Sequence, residues 1–323
     1  MTDEAGRARW RLRGRGDPAF SLLTHGAGVA VFALIAAIGL FLAIRAVPAL
    51  RASGLSFFTE REWFPDASPS RFGIAALAFG TVVSSVLALV LAVPVAIGSA
   101  LYVSELAPPR VGRWVGHLVD LLAAVPSVVY GLWGVIFLVP RLVPVQRALD
   151  EAIGGVLPVV HSTTGTYGRS ILSASVVLAV MVLPIVAALA REIFRQAPTV
   201  HREAALALGA TRWETIRTAV LPFSRRGLVG AVMLGLGRAL GETIAIALVL
   251  AASFDIKLHL AEPGGNTIAA NIATKFGESG ATGRSALVAS GLVLFAITLV
   301  VNVVARLIVR RSVRAEMAEM ARP

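Results

Sequence analysis

Apolar positions along this chain gather in six long runs separated by shorter polar stretches. The runs lie at about 27–48, 73–103, 116–140, 170–190, 227–251 and 285–309. Each reaches or approaches the ~20 apolar residues that a helix needs to cross the hydrocarbon core of a bilayer. The pattern therefore predicts an all-α membrane protein with six transmembrane helices. The second run is long enough to predict tilt or an extension beyond the lipid, and Pro94 stands where it can bend that helix. Around the runs, the pattern divides the chain into a tail at 1–26, a membrane domain at 27–309 and a tail at 310–323. It shows no internal repeat and no low-complexity tract.

Composition strengthens this picture. Hydrophobic residues make up 56% of the 323 residues and the mean hydropathy is +0.78, above the ~45–50% apolar share of soluble domains. Aromatics are only 7%, so the apolar mass is Ala, Val, Leu, Ile and Gly, which favour close helix packing in lipid. The absence of cysteine excludes disulfides, thiolate metal sites and cysteine nucleophiles. The net charge of +11 is spread over segments flanking the runs, so it reads as an orientation signal rather than a nucleic-acid surface. With the N-terminus inside, and Arg45 and Arg306 at the run ends counted with the segments they adjoin, the inner side carries 19 of the 30 Lys and Arg and the outer side carries 10. That asymmetry places both termini in the cytoplasm. The tail bearing Arg7, Arg9, Arg11, Arg13 and Arg15 argues against a cleaved signal peptide; its plainer reading is a disordered segment facing lipid headgroups.

The outer segments are 49–72, 141–169 and 252–284. The first carries aromatics beside charges (LSFFTEREWFPDASPSRF), which suits an interfacial element, a docking surface or an aromatic belt. The last contains EPGGNTIAANIATKF, where a Gly-Gly turn precedes a short helical pattern. This predicts a re-entrant or capping piece, since irregular backbone at membrane depth survives only inside protein or along water.

Between the fourth and fifth runs lies a basic, amphipathic cytoplasmic loop, 191–226. Pro198 opens a helix, and Glu203 is expected in an early turn, favourable to the helix dipole. Ala204, Ala205, Leu206 and Leu208 follow. Gly209 stops the helix, as a left-handed cap requires. Thr211 with Glu214 has capping-box spacing for a second short helix, and Pro222 is expected to end that unit before the fifth span. Two short helices joined at a glycine form a compact knob whose small residues let it sit close to a partner.

These residues carry a resemblance. Glu203-Ala204-Ala205, Gly209 four residues later, and Leu221-Pro222 resemble the EAA loop of ABC importer permeases. In that family the loop forms coupling helices that insert into a groove on the ATP-binding subunit. Ala219 departs from the usual Ile. The resemblance implies a type I ABC importer permease fold and places ATPase coupling on Glu203, Ala204, Ala205, Gly209, Leu221 and Pro222. The residues agree independently of the family. The chain has no G-x-x-x-x-G-K-[ST], so an ATP-driven process needs a separate ATPase chain. Gly235-Leu236-Gly237 lies inside an apolar run and is no dinucleotide fingerprint. The five histidines lack metal-ligand spacing, and no G-x-S-x-G elbow is present.

In the fifth run, Arg238 and Glu242 are four residues apart, which on a continuous helix puts them on one face. A membrane-embedded Arg costs ~2.5–3.5 kcal/mol on insertion scales and normally faces a polar interior with a partner. Glu242 is the expected partner, and Thr243 adds a hydroxyl. Gly237 and Gly241 form a G-x-x-x-G that predicts close approach of another helix. The guanidinium fork matches phosphate or carboxylate oxygens, so an anion can borrow it during passage; a purely structural ion pair is the competing reading. In the third run, Pro126 frees a carbonyl, Ser127 supplies a hydroxyl, and Gly131 and Gly134 thin the helix. This reads either as a pathway wall or as a packing kink. Pro184 in the fourth run reads as packing.

GRALGET at 237–243, AAVPSVVYGLWG in the third run, FFTEREWFPD, LPFSRRGLVGAVMLGLGRALGET and NTIAANIATKF resemble phosphate ABC permease subunits of the PstC type, over about residues 57–309. The resemblance implies half of a phosphate translocation pathway and no catalytic residue or metal. It maps the pathway-lining pair onto Arg238 and Glu242, with Thr243 and Ser127 nearby. It implies a permease partner, PstA; two copies of the ATP-binding subunit PstB, which would bind the ATP; an outer phosphate-binding protein, PstS; and no cofactor on this chain. Permeation of sulfate or molybdate, and a channel or phosphate-sensing scaffold, are the competing functional readings.

Overall fold

The computed structural model describes residues 17–320, with side chains described for 20–307. The arginine tail at 7–15 lies outside the described residues. Among the described residues, six helical stretches are long and apolar enough to cross a membrane: Phe20–Phe58, Ala75–Leu106, Ser127–Ile153, Ile171–Arg195, Arg212–Leu240 and Ala281–Leu307. The only strands among the described residues, β1 (Trp63–Phe64) and β2 (Arg71–Phe72), form a two-residue antiparallel hairpin.

The centre of the bundle is α6 (Ile171–Arg195), packed along α2 (Ala75–Leu101) and against α9 (Leu221–Leu240). Its core positions are Val, Leu, Met and Ala, among them Val177, Leu178, Met181, Val182 and Val186, all buried. Pro184 is buried within this helix, in keeping with a packing role. By contrast α1 (Asp17–Ser53) exposes most of its apolar residues and touches chiefly α12 (Ala281–Met320). A helix that is apolar and uncovered on nearly every side has lipid as its natural solvent.

Two spans differ from their sequence boundaries. The third does not start at 116. Residues Pro109–Ala123 form a separate helix, α3, and the crossing begins with α4 (Ser127–Trp133), continuing through a π-helical turn into α5 (Val139–Ile153). The break falls at Pro126, which caps α4 with extended backbone (ψ 140°). Proline lacks the N–H a continuing helix needs, and it disfavours helical backbone at the residue before it. The fifth span is interrupted: α9 stops at Leu240, and α10 (Ile244–Val249) starts after a three-residue break. At its other end it is longer than expected. Helix α8 (Arg212–Thr215) runs through a π-helical turn directly into α9, so Pro222 sits in the first turn of α9 and terminates nothing.

The aromatics of segment 49–72 are mostly core. Phe57, Trp63 and Phe72 are buried with Ile74, Leu77, Ile268 and Leu287, and Trp63 stacks on Phe254. Burying such rings contributes more than leaving them at a headgroup belt. Helix α11 (Ile268–Lys275) begins in the same cluster. Gly80 makes room for the turn before it: a side-chain carbon there would meet the Asn266 carbonyl oxygen at 2.0 Å. The hydroxyl of Thr81 accepts the amide of Ile268 at 2.9 Å.

Candidate functional site

Arg238 stands three positions from the end of α9, exposed, with no ion-pair partner among the described residues. It lines an open groove of about 980 Å³ between α9, α12 and one residue of α6. Glu242 does not pair with it. The helix ends between them, and the four-residue spacing loses its one-face geometry. Glu242 is buried instead, and its Oε1 accepts the amide N–H of Ala245 at 3.2 Å, in the first turn of α10. The first N–H groups of a helix lack intrahelical partners, so a carboxylate here satisfies one and faces the positive end of the short dipole. Thr243 caps no amide; its hydroxyl donates to the Gly241 carbonyl at 3.1 Å.

The other end of α10 is held by a residue the sequence reading did not single out. Arg169 donates to the carbonyls of Leu248, Val249 and Leu250, at 2.9, 3.2 and 2.8 Å. These are the orphan acceptors at a helix C-terminus, where a cation is favoured. The only sequence signal was an isolated Arg just before an apolar run.

The glycines of the third span pack α4 onto α10 and α6. A Cβ at Gly131 would lie 2.6 Å from the Ala245 Cα, and one at Gly134 would lie 2.8 Å from a Val177 methyl. They serve close helix approach rather than a bare wall. The expected G-x-x-x-G does not: no neighbouring helix comes within 4 Å of where a Cβ on Gly237 would sit, and at Gly241 only α9's own carbonyls do. The close contacts of α9 are made at Gly227, against Ile193, and at Gly235, against Val182 and Val186. Ser127 is half-buried at the start of α4. Tyr130 was also unassigned. Its hydroxyl bridges the α3–α4 break by donating to the Leu122 carbonyl at 2.8 Å.

The knob between the fourth and fifth spans forms much as its spacing indicates. Helix α7 (Thr199–Ala207) follows Pro198, and Gly209 takes φ +83°, a left-handed conformation that disfavours any side chain. Thr211 and Glu214 form both halves of a capping box. Glu203, however, is the fifth residue of α7 and lies beyond its first turn. Glu203, Ala204 and Gly209 are exposed, Ala205 is half-buried, and Leu206, Leu208 and Trp213 project large apolar surfaces. Leu221 and Pro222 lie at the start of α9, away from this tip. The knob is pinned to the bundle by Arg202, which donates to Glu105 at 2.9 Å and to the Phe194 carbonyl at 2.7 Å. Arg191 pairs with Asp120 of α3 through one nitrogen shared by both carboxylate oxygens, at 2.9 and 3.0 Å. No group of three or more His, Asp or Glu side chains among the described residues is arranged to hold a metal.

The chain that folds this way matches a known family over most of its length. The family described as "Binding-protein-dependent transport system inner membrane component" matches residues 92–314. The chain belongs to that family. It is a multi-pass permease subunit, a transmembrane component with no catalytic role of its own. It is 44% identical over 299 residues to the phosphate transport system permease protein PstC 2 of Mycobacterium tuberculosis, covering 91% of this chain and 92% of that one. It is 45% identical over 272 residues to PstC of Mycobacterium leprae, covering 83% and 85%. With PstC of Xylella fastidiosa, strain 9a5c, it shares 40% over 305 residues, covering 94% and 93%. Among solved structures, an inward-facing MetNI methionine ABC transporter matches with a TM-score of 0.45 at 21% identity, covering 70% of this chain and 90% of that one.

Proposed function

We propose that this chain forms half of the translocation pathway of an ATP-driven importer of inorganic phosphate, with Arg238 as the cation that meets the anion. The observation that carries the reading is Arg238 itself: an exposed guanidinium in an apolar span, lining a groove, with its expected carboxylate partner turned away. A buried or lipid-facing Arg without a counterion is costly, and the cost is offset when its working partner is a mobile anion. The names of relatives at 44–45% identity support phosphate as that anion. Glu242 serves by fixing the start of α10 behind Arg238, and Thr243 and Ser127 offer hydroxyls at the two breaks.

The knob of Glu203, Ala204, Ala205 and Gly209 docks on a separate ATP-binding subunit of the PstB type, present in two copies, which holds the ATP. Its exposed Leu206, Leu208 and Trp213 supply the apolar contact, since large apolar tips outside the lipid favour a protein partner. Leu221 and Pro222 belong to the lever that joins knob to span. A second permease of the PstA type closes the other side of the groove, and a PstS-type phosphate-binding protein delivers from outside. Both termini lie in the cytoplasm of a bacterial cell, across its inner membrane. ATP binding moves the knob, Arg202 and α8–α9 transmit the motion, and access to Arg238 switches sides. Such switching needs two helix packings close in energy that nucleotide and anion favour unequally.

The test is uptake of labelled phosphate by cells lacking their own high-affinity system and expressing this chain with matching partners. Uptake that excess sulfate and molybdate leave unchanged is the expected result. No uptake, or competition by those anions, would remove phosphate as the substrate.

A further inference from the structure

The groove that holds Arg238 extends well past it. Its floor follows one face of α9 through Arg226, Gly230, Met233 and Gly237, and its far wall is Asn302 and Arg306 of α12. Arg226 and Arg238 are twelve residues apart on a continuous helix, a rise of about 18 Å. Arg306 of α12, late in the sixth span, which crosses in the direction opposite to the fifth, lines the same groove as Arg226. Among the described residues no carboxylate lines the groove, and neither Arg226 nor Arg306 has an ion-pair partner. Asn302 has its amide nitrogen committed to the Thr298 carbonyl at 2.8 Å, so the Asn302 side chain is held in place. Positive charge near a cytoplasmic boundary is ordinary. Two guanidinium groups on different helices opening into one groove whose described lining holds no carboxylate are a different matter. They repel each other, and an oxyanion between them removes the repulsion while using both forks.

Resting on the phosphate reading of Arg238, we propose that Arg226 and Arg306 form a second, inner binding station for a phosphate group, about 18 Å along α9 from the first. An anion leaving Arg238 crosses the small-residue stretch at Gly230 and Gly237, where a Cβ would meet nothing within 4 Å, and is received by this pair before release. A phosphate group also heads the anionic lipids, and a lipid headgroup presents the same oxygens to the same forks; the chemistry of the site is shared, and the experiment separates the two sources.

The assembled permease–ATPase complex, without the outer binding protein, is placed in nanodiscs of phosphatidylcholine alone or with phosphatidylglycerol. Binding of labelled inorganic phosphate and retention of phosphatidylglycerol are measured for wild type, Arg226→Gln, Arg306→Gln and Arg226→Lys, each checked for copurifying ATPase. Transported phosphate as the occupant predicts, in phosphatidylcholine, two phosphate sites per chain, of which either Gln variant weakens one at least tenfold while Arg226→Lys restores it in part. A lipid occupant predicts instead phosphatidylglycerol retention that the Gln variants lose. Phosphate binding and lipid retention both unchanged in the Gln variants overturn the inner station. Wild-type uptake, measured alongside in cells, reports separately on the phosphate reading, so failure of one is told from failure of the other.

Discussion

The Glu242 carboxylate accepts the Ala245 amide across the break that separates α9 from α10, and this one contact decides what the neighbouring Arg238 can do. With the carboxylate engaged in the fold, the guanidinium is left facing the groove. Glu242→Gln keeps an acceptor oxygen and should preserve assembly. Glu242→Ala leaves a first-turn amide without its partner and should cost about 1–2 kcal/mol. The melting temperature of the purified complex, compared between the two variants, checks the distinction; equal loss in both would mean the charge rather than the hydrogen bond matters.

The six spans were legible because apolar length is a strong signal, and the knob was legible because Pro198, Gly209 and the Thr211–Glu214 box are local chemistry. The break at Leu240 was not. No proline marks it, and the spacing of Arg238 and Glu242 suggested a continuous helix. It is imposed from outside, by Arg169 holding the far end of α10 and by Gly131 admitting α10 against α4. Likewise Phe57, Trp63 and Phe72 resemble a belt in sequence, and become core only because α11 folds back beneath them.

Gly131→Leu should force α4 away from α10, since even a Cβ meets the Ala245 backbone at 2.6 Å. Overpacking of this kind costs about 1–3 kcal/mol. Gly237→Ala, in open groove space, should leave the fold intact. Membrane-inserted yield and thermal unfolding of the two variants give the comparison; similar behaviour would contradict the packing described here.

At the knob, Gly209→Ala places a side chain at φ +83° and should cost about 1 kcal/mol locally. Leu208→Asp and Trp213→Ser should leave the fold alone and lower copurification of the ATP-binding subunit. Undiminished copurification from the double variant would place the docking surface elsewhere.

Glu262 links segments 141–169 and 252–284. It accepts from the Thr163 amide and hydroxyl and pairs with Lys257 at 3.3 Å. These bonds, the Thr163 hydroxyl first, hold its carboxyl below the usual value of 4.5. A depressed folded value means the ionised form stabilises the fold. That contribution is complete above 4.5 and is lost as pH falls through the lower folded value. Glu262→Gln should therefore flatten the acid limb of a stability–pH profile while changing little of its shape near neutrality; an unchanged acid limb would discount this link.

The central claim is that Arg238 meets the transported anion. It is tested most directly by initial rates of labelled phosphate uptake for wild type, Arg238→Gln and Arg238→Lys, at matched membrane levels and matched ATPase copurification. The account predicts uptake lost with Gln and partly kept with Lys. Full uptake with Arg238→Gln would contradict it.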